Sequence, residues 1–235
     1  MRKMQDEDRA SAVKIQEVDG LLVECYGDRI RGAGGYDLLD GLVLTILSQN
    51  TSDVNSQRAF EDLKCRFPSW EEAARAGAGE IEVAIRSGGI SHVKAGRIKD
   101  LLDSLQRETG SYSLRHLEDM EPPKALEYLL EIPGVGRKTA AVLLLFRLGY
   151  PFFPVDTHIF RVGKRLGILP PRISPDKAHD LMDELVPDDT KYRFHINLIT
   201  HGKQVCKARK PNCRECCLTN ICERVGVEEE GNDNA

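Results

Sequence analysis

Residues 131–162 read EIPGVGRKTAAVLLLFRLGYPFFPVDTHIFRV, and the fold turns on how this stretch is understood. It opens on a glycine turn, Pro133-Gly134-Val135-Gly136. The basic pair Arg137-Lys138 follows, then an apolar run from Ala140 to Leu148 whose composition favours helix. Glycines at 134 and 136 permit positive φ and leave backbone N–H groups uncovered. Those groups lie where a helix begins, a ready site for an anion, of which phosphate is the obvious one. Upstream, PPKALEYLLEI (122–132) sets apolar residues at 126, 129, 130 and 132, the spacing of one helix face. The unit therefore reads helix, glycine hairpin, helix. An ordinary helix–helix turn is the plain alternative, since a lone G-x-G is weak. The basic pair directly after the turn favours phosphate contact.

The same stretch relates two side chains of complementary chemistry. A helix over 138–148 spans about 15 Å. The residues 149–155, if extended, reach about 23 Å, and Pro151 and Pro154 favour extended backbone there. The chain is thus long enough to bring Asp156 back beside Lys138. A lysine that acts as a nucleophile must first lose its proton, a demand of about 4 kcal/mol at neutral pH. A helix N-terminus meets at most about 2 kcal/mol of it. Burial, Arg137 and closure around a substrate must supply the rest. Asp156, before Thr157-His158-Ile159-Phe160, is also a good helix N-cap. The two roles are compatible, because a capping carboxylate still stabilises a cation that develops nearby.

A second cluster lies downstream. Cys206, Cys213, Cys216 and Cys222 follow the spacing C-x6-C-x2-C-x5-C. Four thiolates so close in sequence need a metal to hold them. Zinc prefers two short C-x2–4-C pairs, and the six-residue first gap suits it less well. An iron–sulfur cube holds its sulfurs farther apart and accepts such a loop. Cys217 is an adjacent fifth cysteine outside the pattern, and Cys25 and Cys65 read as ordinary half-buried residues. The loop between the first two ligands carries Lys207, Arg209 and Lys210, a basic finger once its ends are clamped, suited to phosphate.

Formal net charge is −4, which by itself argues against a polyanion partner. The distribution answers this. Glu228, Glu229, Glu230 and Asp233 lie in the tail 226–235, and without these four acids the balance is zero. Residues 196–214 hold Lys203, Lys207, Arg209, Lys210 and Arg214 with no acid, and local basic faces govern phosphate contact. No apolar run is long enough to span a membrane, and MRKMQDEDRA has no apolar signal region. The expectation is a soluble intracellular protein. Seven cysteines, five of them between 206 and 222, argue against a spread disulfide framework.

Elsewhere the pattern is helical and strand signals are nearly absent. A helix is expected over 11–31, ended by the Gly32–Gly35 cluster, and a strongly apolar one from Tyr36 to Leu47. The polar turn Ser48-Gln49-Asn50-Thr51-Ser52 follows, with Asp53 as cap of a helix to Phe67. Trp70 to Ile85 holds one or two short helices. Ser87 to His92 is a loop before a helix over 93–108. Ser174 caps a helix to Val186 that has Pro175 in its first turn, and 192–202 is helical.

IPGVGRKTA followed by VDTHIFRV resembles the helix-hairpin-helix DNA glycosylase superfamily, and specifically endonuclease III, over roughly residues 15–224. The resemblance implies an all-α fold of two helical domains with the active-site cleft between them. One is a six-helix domain over 36–149; the other is an iron–sulfur cluster domain from both termini, 1–35 plus 150–225. The acidic tail 226–235 is expected to be disordered. It implies Lys138 and Asp156 as catalytic residues and a 4Fe-4S cluster on Cys206, Cys213, Cys216 and Cys222. It also implies contact with double-stranded DNA through Gly134, Gly136, Arg137, His158, Lys207, Arg209 and Lys210. In the family the turn after the second helix fills the gap left by an extruded base, here through Gln49 or Asn50; counting back from Asp53 points to Asn50. The 87–92 loop supplies an apolar wedge, for which Ile90 stands in place, the alternative being that Ile90 packs inward. The implied protein is a monomer of the cytoplasm, nucleoid-associated, acting as a bifunctional glycosylase/AP lyase on oxidised pyrimidines and abasic sites. Two rivals remain: a monofunctional mismatch glycosylase, whose family members generally lack lysine at position 138, and a non-catalytic DNA-binding iron–sulfur protein, which needs neither Lys138 nor Asp156.

Overall fold

The computed structural model describes residues 6–32 and 37–227. Among them, eleven α-helices follow one another and no strand forms, so the fold is all-α. The chain divides into two compact units, Ala33–Tyr150 and a unit built from both termini, Met1–Gly32 with Pro151–Ala235.

The first unit is organised on α2 (Leu38–Ser48), which packs against α3 (Asp53–Arg66), α6 (Ser91–Thr109) and α8 (Arg137–Leu143). Its apolar residues face every direction, and Leu42, Val43, Ile46 and Leu47 are fully buried. Each such side chain contributes about 2 kcal/mol on leaving water. Asp37 caps this helix by accepting from Asp40 N–H at 2.8 Å. The short α4 (Trp70–Arg75) and α5 (Ala78–Ala84) lie against α6. α7 (Pro122–Glu131) leads to the glycine turn and α8. The expected helix to Leu148 changes character on the way: Leu144–Leu148 is one π-helical turn, closed by the Gly149 N–H on the Leu144 carbonyl. Such widened turns are rare and cluster at functional sites.

In the terminal unit, α1 (Asp6–Tyr26) packs on α10 (Pro175–Leu185) and α11 (Lys191–Gln204). α9 (Thr157–Leu166) lies against α11. Ile15, Val18, Leu22, Phe153, Ile159, Val162, Met182, Phe194 and Leu198 form the core. Arg193 ties α11 to α1 through Asp19 at 2.8 Å, with Asp19 only 6% exposed. Gly202 lets α9 and α11 close up, because a Cβ there would stand 2.9 Å from the His158 Cβ.

Three boundaries differ from expectation. The first helix stops at Tyr26, not at residue 31, because Gly27 at φ +86° turns the backbone out of the helix. Ser52 rather than Asp53 caps α3, its hydroxyl accepting from Asn55 N–H at 3.3 Å. The second helix begins at Leu38, and Tyr36 lies outside the described residues. The acidic tail also lies outside them from residue 228 on.

Candidate active site and cysteine recess

The glycine turn takes the conformation its residues allow. Gly134 sits at φ +82°, and Val135 N–H closes the turn on Ile132 O at 3.0 Å while its side chain is buried. Gly136 is the N-cap of α8 and offers no side-chain acceptor, so the first amides of the helix carry no side-chain cap. Gly136 and Lys138 are exposed at this start of the helix, and Arg137 is half-buried. Thr139, next to Lys138, is buried and accepts from Gln49 Nε2 at 3.2 Å. The turn after α2 and the start of α8 are thus in contact.

Two further tips of this unit hold backbone conformations that side chains resist. Asn50 lies at φ +54° and is exposed; asparagine tolerates this region. Ile90 lies at φ +49° and is 54% exposed, so it points outward rather than into the core. A β-branched residue there is strained by about 1–2 kcal/mol. Strain held by an exposed apolar residue is a mark of function.

Asp156 belongs to the terminal unit and caps α9, its carboxylate accepting from Ile159 N–H at 2.8 Å. The connection before it is held by side chains at several backbone groups. Lys191 Nζ donates to Pro151 O at 2.8 Å, Asp183 accepts from Phe153 N–H, and His195 Nδ1 donates to Pro154 O at 3.0 Å. His179 Nδ1 lies 3.2 Å from both Val155 N and Phe153 O, so it holds this backbone in either tautomer. Asp156 is therefore delivered by a segment with little freedom.

One turn and two turns further along α9 stand Arg161 and Arg165, which hold the start of the cysteine loop. Arg161 donates to Cys206 O at 3.0 Å, Gly202 O at 2.8 Å and His158 Nδ1 at 3.1 Å. Arg165 donates to Lys207 O at 2.7 Å, Ala208 O at 3.0 Å and the Cys206 sulfur at 3.3 Å. Cys206, Cys213, Cys216 and Cys222 line one recess, together with Val162, Leu166, His201, Val205 and Leu218. Burial pushes the His201 imidazole down to about 4 and the Tyr26 phenol up to about 12. Both are neutral near pH 7. Tyr26 Oη and His201 Nδ1 share a hydrogen bond at 3.0 Å, and His201 Nε2 faces the Cys216 sulfur at 3.6 Å. This is a hydrogen-bond shell around thiolates. Among the described residues no three Cys, His, Asp or Glu side chains converge closely enough to hold one metal ion. Lys207, Arg209 and Lys210 project into solvent from the loop, Lys210 at φ +50°.

Residues 43–188 match the HhH-GPD superfamily base excision DNA repair protein model. The chain belongs to the HhH-GPD superfamily. Within it, a candidate DNA glycosylase of Arabidopsis thaliana is 41% identical over 175 residues, 74% of this chain and 59% of the relative, so the chain spans well under two thirds of that protein. Endonuclease III of Thermotoga maritima is 33% identical over 182 residues, 77% of this chain and 81% of that one. A solved structure of a trapped endonuclease III–DNA covalent intermediate is similar with a TM-score of 0.78 at 26% identity, covering 91% of this chain and 96% of that one.

As an HhH-GPD protein the chain carries its hairpin, Lys138, Gln49, Asn50 and Ile90 in one unit, and Asp156, His158 and the four cysteines in the other. Sequence reasoning missed the side chains that set these groups. Lys94, Arg97, Lys191, His179 and His195 each act on a segment distant in the chain. Only a charged or polar residue inside an apolar helical face hints at them.

Proposed function

We propose that the chain is a bifunctional DNA glycosylase/AP lyase of base excision repair that takes oxidised pyrimidines and abasic sites. The observation that carries this reading is Lys138: an exposed amine at the second position of a helix that opens from an uncapped glycine turn, in a chain 33% identical to an endonuclease III. The turn and Arg137 hold a phosphate of the damaged strand. A nucleotide leaves the stack at a cost of a few kcal/mol. The Lys138 amine then attacks C1′, the base departs with the bonding electrons, and the Asp156 carboxylate stabilises the positive charge on the sugar. The C1′–O4′ bond then opens, with O4′ taking the amine's proton, to leave an iminium at C1′ that acidifies C2′–H; loss of that proton expels the 3′ phosphate and cuts the strand. Asn50 and Ile90 occupy the vacated space, and Lys207, Arg209, Lys210 and His158 contact the backbone.

Incubation with borohydride tests this, on duplex carrying an abasic site and on duplex carrying an oxidised pyrimidine. A covalent adduct is expected. Base release without an adduct would instead mean a monofunctional glycosylase, and binding alone a non-catalytic DNA protein.

The cysteine recess fits a 4Fe-4S cluster. A single zinc would need its sulfurs about 3.8 Å apart, from Zn–S bonds near 2.3 Å, whereas a cube spreads its four ligands around one recess. Burial raises the Cys216 and Cys222 thiols, with mutual repulsion adding to it, so cationic iron is what makes four thiolates affordable. Held by Cys206, Cys213, Cys216 and Cys222, the cluster would clamp the ends of the basic loop. Expected iron is about four per chain, lost in Cys213→Ser with the visible yellow-brown colour and kept in Cys217→Ser. A colourless zinc protein contradicts the assignment.

Ile90→Asn makes the wedge testable on its own. Asparagine relieves the left-handed strain, so Tm should rise by a few degrees. Incision should fall roughly tenfold, the loss of about 1.4 kcal/mol of wedge contact. Unchanged incision would remove Ile90 from the DNA interface.

A further inference from the structure

Helix α6 carries two cations one turn apart, and together they hold three separate DNA-facing segments. Lys94, 2% exposed, donates to Leu47 O at 2.7 Å and Gly88 O at 2.8 Å. It thereby closes the end of α2 and the turn just before Ile90. Arg97 Nη1 donates to Gln49 Oε1. Arginine has donors only, so this contact fixes the carboxamide: Oε1 faces Arg97, and Nε2 must donate to Thr139 Oγ1 at 3.2 Å. The stem of Arg97 crosses the hairpin at Gly134, where a Cβ would stand 2.8 Å from Arg97 Cδ. The missing side chain of Gly134 thus serves two ends, the positive φ and the passage of Arg97. Both polar ends of Gln49 are occupied, while its neighbour Asn50 is exposed in the left-handed region.

We propose that Arg97 and Gln49 form a positioning pair, in which Gln49 is a latch and not the group that enters the duplex. Arg97 orients the latch, the latch seats the Ser48–Ser52 turn on Thr139 beside Lys138, and Asn50 is the side chain left to fill the gap. The pair registers base extrusion against the amine that acts on the extruded sugar. This rests on the glycosylase/lyase reading, and the test separates the two.

Wild-type protein is first trapped on abasic duplex; failure there overturns the enzyme reading itself. Given trapping, Arg97→Met keeps the stem over Gly134 and removes the donors, while Arg97→Lys keeps one donor. The measurements are single-turnover incision, duplex Kd, Tm and the emission of 2-aminopurine placed opposite the abasic site, which reports filling of the gap. Arg97→Met should slow incision about tenfold or more and blunt the 2-aminopurine rise, with Kd changed less than about threefold and Tm nearly unchanged. Arg97→Lys should recover part of the rate. Gln49→Leu should give the same phenotype, and the double variant should be no slower than the slower single one. Wild-type incision by Arg97→Met overturns the proposal. So do multiplicative losses in the double variant with a weaker salt dependence of Kd, which would make Arg97 a direct phosphate contact.

Discussion

Lys138→Gln should bind lesion-containing duplex and leave it uncut, with no borohydride adduct and incision lowered by about 10⁴-fold or more, the scale of losing a nucleophile. Three features of the site make this variant informative. Lys138 is exposed, so its replacement leaves no buried group without a partner. Glutamine is nearly as good a helix former as lysine, so α8 should persist and stability should change by less than about 0.5 kcal/mol. One cation is lost next to the hairpin, so the salt dependence of binding should fall by about one phosphate contact while binding itself survives. A variant that still traps would mean that another amine, such as the chain's N-terminus, forms the adduct.

Asp156→Asn should lower incision by about 10²–10³-fold with Tm unaltered. On the proposed mechanism the carboxylate has two duties that this substitution separates. As N-cap it accepts from Ile159 N–H at 2.8 Å, a duty asparagine performs equally well. As the charge that stabilises a cationic sugar it has no neutral substitute, and removing such a preorganised group costs about 2.7–4 kcal/mol. Asp156→Ala removes both, so it should also lower Tm by about 2–4 °C for the roughly 1 kcal/mol cap. Full activity in the asparagine variant would reduce Asp156 to a cap.

The parts of this molecule that were legible in advance are those whose physics is local. Ser174-Pro175 announces a helix start, and Ser174 does accept from Lys177 N–H at 3.3 Å. Gly134 and Gly136 announce a turn with free amides, and Asp156 a cap, because each decision involves atoms within four residues. The errors were also local competitions with close outcomes: Ser52 against Asp53 as cap, and Gly27 against Gly32 as helix terminator. The widened turn at Leu144–Leu148 left no trace in composition, since α- and π-turns bury the same apolar residues.

The order of residues thus determined by itself that the chain is helical, where its glycine corner lies, which amine and which carboxylate are candidates, and that four cysteines share one loop system. Tertiary structure decided how those groups are held. Lys94 reaches Leu47 across 47 positions, Arg97 reaches Gln49 across 48, Lys191 reaches Pro151 across 40 and His195 reaches Pro154 across 41. Each is a buried or half-buried polar group whose desolvation is offset only by a partner that packing brings near. Nothing in the spacing along the chain can name that partner, because its identity is a property of how helices cross.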